Sequence, residues 1–369
     1  MKKLIALLLA LVMVLGLVAC APATDDTQAG NDSTPAADDT AGTDEAKKTI
    51  YVLTPSPDHG WTGAIGVAAE EKVEELNAEG KYEVIMQTFA TADDQTKLIE
   101  DIIAKEHEEG TVGVAMLPAG NDVEGAIQQL IDAGIPYTAA DRIIPGVADA
   151  AISNVKYDNI EIGAAAAAWL VANGMKEGDL VAVIEGDGSS ADTDRTKGFN
   201  DYLTGEVEYA GAKIETPWTS LDSVSYSGPT GWNPANAQTW FENYLSDAKN
   251  AETKFIASWD DGLTCGIFDA VEGSSIDDAT KATFLEGAPF ITGCGGAQAL
   301  YNVIGGDFTA YPNAEKFGGV MSVTYPPAMI QVTIQAMVDY FDGVEVLQDN
   351  TQSAEQVHKD NVANYKGFE

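Results

Sequence analysis

Residues 112–142 read VGVAMLPAGNDVEGAIQQLIDAGIPYTAADR. Val112 to Leu117 is a short apolar run closed by Pro118, the signature of a buried strand. Val123 to Ala133 carries apolar residues at helical spacing. Ile135 to Ala139 is a second strand that delivers Asp141 and Arg142 at its end. Two apolar strands joined by a helix of this length form a βαβ unit in a parallel sheet. Such strands are covered on both faces, so they read as continuous apolar runs rather than alternating ones.

The rhythm extends outward. Upstream, Thr49 to Leu53 reads as a strand, Ala64 to Glu79 as a helix and Tyr82 to Thr88 as a strand. Asp94 to His107 follows as a helix, with Leu98, Ile99, Ile102 and Ile103 on its apolar side. Near Asn154 the pattern restarts. Ile160 to Ala172, Asp194 to Leu203 and Leu263 to Val271 read as helices. Leu180 to Ile184, Lys213 to Glu215, Phe255 to Ser258 and Phe290 to Thr292 read as strands. The fold expected is α/β: two Rossmann-like lobes with parallel sheets and a cleft between them. Ligands in open parallel sheets collect beyond the carboxyl ends of the strands, so the residues just after each strand matter most.

The N-terminus has a different character. Met1-Lys2-Lys3 is basic, and Leu4 to Val18 is apolar over about 15 residues, short of the roughly 20 that span a bilayer. This is the pattern of an export signal. Leu17-Val18-Ala19-Cys20 resembles the lipobox of bacterial lipoproteins, which implies cleavage before Cys20 and its acylation. Residues 1–20 are thus expected to be a signal peptide. Residues 21–48 lack Trp, Tyr, Phe, Ile, Leu and Val and are expected to form a disordered acidic tether. The domain would then be anchored to the outer face of the cell membrane, in a cell with one membrane or two.

The 369 residues carry 58 acidic and 20 basic side chains, a net charge of −38. That opposes nucleic acid and anionic membrane surfaces as partners. His59, His107 and His358 are scattered, so no metal is expected, and no cofactor motif occurs. Cys265 and Cys294 could pair outside the cytoplasm or stand as separate buried thiols.

The strand ends carry Trp, His, Asp and Arg: His59 and Trp61 after the first strand, then Asp141 and Arg142. Glu185, Asp187, Asp192, Asp194 and Arg195 follow Ile184, and Trp259, Asp260 and Asp261 follow Ser258. Aromatic faces stack on sugar C–H surfaces, carboxylates accept from hydroxyls, and a guanidinium donates in a fixed fork. The mixture suits a polyhydroxylated ligand.

Over Thr49 to about Gly343 the chain resembles the type I periplasmic binding proteins of the ribose/galactose-like branch, the capture components of ABC importers. The resemblance rests on segments in family order: Asp93 to Ile103 with Gln95, Ala133-Gly134-Ile135-Pro136 before Asp141-Arg142, and Ile152-Ser153-Asn154 before Gly163. Arg195-Thr196-Lys197-Gly198-Phe199 resembles Arg-x-x-Gly-Phe, and Asp260 to Gly266 resembles Asn-Asp-x-x-Ala-x-Gly. By position the resemblance implies ligand contacts from His59, Trp61, Asp141, Arg142, Arg195 and Asp260. Asp192 is a further candidate. Gly293-Cys294-Gly295-Gly296 stands where the family has Gly-Phe-Asp-Gly, so one carboxylate is missing. The family's glutamine at the last crossover appears as Thr324-Tyr325, of which Thr324 is taken as the contact. Ser220 to Trp240 exceeds the family's usual length; Trp218 and Trp232 are candidates for a pocket wall or for core, and Trp240 reads as core. Asp261 is expected to cap the following helix.

The resemblance further implies a three-segment hinge. Residues 49–153 with about 325–343 would form the first lobe, and 154–324 with about 344–369 the second. The implied function is capture of a sugar or sugar-like polyol, most simply a monosaccharide, by a monomer that delivers it to a membrane permease with its ATPase and can also serve a chemoreceptor. Alternatives are a nucleoside or signalling molecule as ligand, or a carboxylate-based glycosidase using Asp141 and Asp260. Against catalysis, neither Gly-x-Ser-x-Gly nor a P-loop is present.

Overall fold

The computed structural model describes residues 47–56 and 60–369. The expected signal peptide, Cys20, all but the last two residues of the expected tether, and His59 lie outside the described residues.

Residues 47–369 carry two six-stranded, mostly parallel sheets. In the first, β1 (Thr49–Pro55) lies between β2 (Glu83–Phe89) and β3 (Val112–Met116). Beyond β3 come β4 (Tyr137–Ala140), β5 (Ser153–Tyr157) and, at the edge, β11 (Asp349–Gln352). The second repeats this order: β7 (Val224–Pro229), β6 (Val181–Glu185), β8 (Phe255–Ser258), β9 (Phe290–Gly295), β10 (Gly319–Thr324) and β12 (Gln356–Val357). Only β12 runs antiparallel to its neighbour. In both sheets the strand order reverses beside the first strand, which opens a crevice at the carboxyl ends there.

Ile50 and Val52 of β1 face α1 (Gly60–Glu79) and α10 (Met329–Phe341). Tyr51 and Leu53 face the opposite core, which holds Ile99 and Ile102 of α2 (Ala92–Ala104) and Ile127 and Leu130 of α3 (Glu124–Asp132). This two-sided burial is why β1 has no polar alternation. Thr91 caps α2 by accepting from the Asp94 N–H at 3.2 Å, with Asp93 and Asp94 in the first turn where the helix dipole favours anions.

In the second lobe α4 (Asn159–Ala172) and α5 (Ser190–Thr204) touch along glycines. A Cβ on Gly163 would stand 1.9 Å from the Arg195 carbonyl oxygen, and one on Gly198 2.0 Å from that of Ile160. Any side chain at either position would force the helices apart. The remaining helices are α6 (Pro234–Leu245), α7 (Asp261–Glu272), α8 (Asp278–Glu286) and α9 (Gln298–Ile304).

Three features differ from the sequence reading. Lys213 to Glu215 is not a strand; the edge strand beside β6 is β7, inside the stretch read as an insertion. The chain leaves the first sheet only after β5, past Tyr157. The tail is shared: β11 pairs with β5 in the first sheet and β12 with β10 in the second, so the last crossing falls after Gln352 rather than near residue 343. Edge strands this short and polar carry little hydrophobic signal, so pairing decides where they go. Cys265 and Cys294 are both free and buried.

Candidate functional site

Asp141 follows β4 directly and adopts a left-handed φ of 62°, which Asp tolerates better than most residues because its short side chain bonds locally. Its N–H donates to the Val155 carbonyl at 2.9 Å, fixing the turn. Arg142 donates from Nη1 to the Ala119 carbonyl at 2.7 Å and leaves its side chain half-exposed, with Nε 3.9 Å from Asp141 Oδ2. The loop it leans on is held by the fully buried Gln95, which donates to the Leu117 carbonyl at 3.1 Å and accepts from the Ala119 N–H at 2.7 Å. Trp61, in the first turn of α1, donates from its indole to the Tyr325 carbonyl at 2.8 Å.

From the second lobe comes Arg195, 4% exposed. The close α4–α5 contact presents its Nε to Asn159 Oδ1 at 2.9 Å, while Nη1 donates to the Trp259 carbonyl at 2.5 Å. Burial works against its charge, but Cys294, Tyr325, Asp141 and Asp260 outweigh it and raise the pKa. Asp260 caps α7, accepting from the Gly262 N–H at 2.7 Å and the Leu263 N–H at 3.3 Å. Burial raises its pKa; the Gly262 donor, the field of Arg195 and the Leu263 donor oppose it.

The cap is therefore Asp260, and the cap expected at Asp261 moves one residue back. Asp261 instead turns inward, 1% exposed, accepting from Gly296 N–H at 2.7 Å, Ala297 N–H at 2.8 Å and Ser322 Oγ at 2.7 Å. Its carboxylate lies where a Cβ on Gly293 would sit 2.4 Å away. The acid absent from the Gly-Cys-Gly-Gly run is thus matched by one reaching over from α7, spent on holding the β9–α9 turn.

Trp232 also has a left-handed φ, 56°, and its ring lies against Gly186 and 5.6 Å from the Arg195 guanidinium. Asp187 lies beside Trp232. Burial pushes its pKa up, yet bonds from Ser189 and Trp232 and the field of Arg142 leave it below the usual carboxylate range. Since Arg142 belongs to the first lobe and Asp187 to the second, charge is complementary across the cleft.

Three residues singled out in the sequence take other positions. Asp192 is 3% exposed and spends both oxygens on the Gly186 and Gly188 N–H groups, at 2.8 and 2.7 Å. Trp218 is buried in the second-lobe core among Leu203, Ile214 and Val224. Thr324 pairs with Glu355, whose N–H donates to its Oγ1 at 2.9 Å. Of the Thr324-Tyr325 pair it is Tyr325 that enters the site. Its hydroxyl bonds to Asp141, and its ring lies 5.3 Å from those of both Trp61 and Tyr157. Tyr157 and Asn159 carry no motif of their own; their positions at the end of β5 and two residues past it, at a lobe crossing, are the signal that points to them.

The site thus brings together Trp61, Asp141, Arg142, Tyr157, Asp187, Arg195, Trp232, Asp260 and Tyr325. It offers aromatic faces, hydroxyl-accepting carboxylates and two guanidinium groups from both lobes.

A search of curated proteins returns no match. Among solved structures the fold is shared with an ABC transporter periplasmic solute binding protein from Actinobacillus succinogenes with bound D-allose. That chain is 20% identical with a TM-score of 0.65, covering 86% of this chain and 100% of that one. A myo-inositol binding protein from Caulobacter is 19% identical with a TM-score of 0.64, covering 86% and 95%. A solute binding protein from Bacillus halodurans with bound myo-inositol is 18% identical with a TM-score of 0.63, covering 88% and 98%. Residues 50–345 match the model of the periplasmic binding protein domain, and the chain belongs to that family.

Proposed function

We propose that this chain is an extracytoplasmic lipoprotein that captures a monosaccharide or sugar-like polyol between its lobes and delivers it to an ABC permease. The observation that carries this reading is Arg195: a buried guanidinium from the second lobe, stacked on Tyr325, whose hydroxyl reaches Asp141 of the first. Cyclic polyols bound by structures of the same fold, D-allose and myo-inositol, support the ligand class. Ring hydroxyls would bond Asp141, Asp260 and Arg142, with Trp61 and Trp232 against the C–H faces. Trp218, Asp192 and Thr324 are left out of this contact set.

A ligand bonded to both lobes favours the closed form by its differential affinity, and the crossings after β5, β10 and β11 form the hinge. Acylation at Cys20 would keep the domain beside its permease and ATPase. A role as a glycosidase is disfavoured because Asp260 is engaged as a helix cap, a poor position for a proton donor.

Thermal melts with D-allose, L-arabinose, myo-inositol and a set of nucleosides test this. A ligand at a hundredfold excess over Kd stabilises by about 2.7 kcal/mol, which a melt resolves. A shift with nucleosides and none with sugars or polyols would overturn the sugar reading.

A further inference from the structure

Tyr325 lies between the last residue of β10 and the start of α10, so it is part of the hinge itself. Its contacts span both lobes. The hydroxyl bonds to Asp141 Oδ1 in the first, and the guanidinium of Arg195 sits 4.6 Å from the ring centroid from the second. Its carbonyl accepts from Trp61, and its side chain is part of an apolar cluster that runs from Ile50 and Val52 to Cys294, Met321 and Val323. Only 6% of Tyr325 is exposed. The phenol therefore occupies one acceptor of Asp141 and one face of Arg195, the groups a ligand hydroxyl would use under the reading above.

We infer that Tyr325 is an internal stand-in for the ligand: a hinge residue that braces the lobes together in the ligand-free protein and must yield Asp141 when a polyol binds. The inference rests on the cleft being the ligand site, yet its physical content is separate. A phenol bonded to a carboxylate is a charge-assisted hydrogen bond, and a guanidinium over an aromatic face adds a cation–π contact in a site closed to water. Held at once, the two contacts tie Asp141 of the first lobe to Arg195 of the second. A ligand competes for them, so binding affinity is reduced by the cost of displacing the phenol, and the cleft favours ligands whose hydroxyls engage Asp141 and Arg195 at once.

The test uses no sugar. Spin labels on Gln128→Cys in the first lobe and Asn243→Cys in the second report the interlobe distance; Cys265 and Cys294 are buried away from the label. Ligand-free protein with native Tyr325 is expected to populate mainly the short distance. Tyr325→Phe keeps the ring and removes the bond to Asp141, and is expected to raise the ratio of long to short distances at least tenfold. Asp141→Asn weakens the same bond from the other side, should move the ratio the same way, and decides the matter if Tyr325→Phe loses its cooperative melt. The double variant should open no further than the more open of the two single variants. Native protein already open without ligand, or variants with an unchanged distribution, would overturn the brace. A failed sugar screen beside lobes that open as described would overturn only the capture reading.

Discussion

Arg195 and Tyr325 meet at 4.6 Å, guanidinium over ring, and this contact joins helix α5 of the second lobe to the hinge. The arginine is held from behind by Asn159 and the Trp259 carbonyl, so its fork reaches the cleft already oriented. Under the proposed reading a ligand would meet a preorganised donor rather than a mobile chain, which limits the ordering cost of binding.

Arg195→Lys tests that orientation. A lysine cannot span Asn159 Oδ1 and the Trp259 carbonyl in one plane. The variant is expected to lose about 1–3 kcal/mol of stability in urea denaturation and at least tenfold in affinity for whichever polyol the melts identify. Equal affinity in the variant would show that the fork does not touch the ligand.

The turn at Asp141 separates backbone from chemistry. Asparagine accepts the left-handed φ of 62° where alanine does not. Asp141→Asn should melt within a few degrees of the native protein, and Asp141→Ala should be about 1 kcal/mol less stable than Asp141→Asn. Both should bind polyol more weakly in calorimetric titration.

Gly186 and Trp232 form a coupled pair. A Cβ on Gly186 would lie 2.2 Å from a Trp232 ring carbon, so Gly186→Ala must push the indole out of place. Its loss of affinity should approach that of Trp232→Ala. Trp218→Phe, a change in the core away from the cleft, should keep the ligand-induced change in tryptophan emission that Trp232→Phe diminishes.

Asp261 predicts a pH dependence. Burial, and then the neighbouring Asp260, push its carboxyl up to about 7 against the pull of Ser322, Ala297 and Gly296. An unfolded aspartate titrates near 3.9. Between roughly pH 4 and 7 the folded protein holds a proton the unfolded chain has released. The contribution is therefore full below about pH 4, declines as pH rises, and is lost above about 7. Asp261→Asn should flatten this part of the stability profile by a few kcal/mol in urea denaturation at pH 4.5 and 7.5. The repulsion of the strongly acidic surface varies with pH in both proteins and cancels in the comparison. Parallel profiles would mean that the three donors keep the carboxylate ionised.

The βα rhythm was legible because central parallel strands and their covering helices each carry their own hydrophobic period. Asp141, Arg142 and Asp260 stand out in the sequence because they follow strands within two residues, and Arg195 because it opens the Arg-x-x-Gly-Phe segment. Tyr325 follows Thr324 at the end of β10, but neighbouring residues at the end of a strand turn to different sides, and no local pattern says which turns inward. Thr324 goes to Glu355 and Tyr325 to Asp141. Trp218 and Trp232 are equally apolar and lie in one segment; packing sends one to the core and leaves the other against Gly186.

Local sequence accounts for the alternation of strands and helices, the repeat of one pattern in two halves, and the residues presented at the strand ends. These follow from periodicity and from side-chain chemistry within a few residues. Long-range packing accounts for the return of β11 to the first sheet, for Asp261 rather than a residue of β9 supplying the acid beside Gly293, and for Tyr325 linking Asp141 to Arg195. Each of these depends on groups far apart in the chain, whose pairing is set by hydrogen-bond satisfaction and close packing in the folded molecule and leaves no local trace.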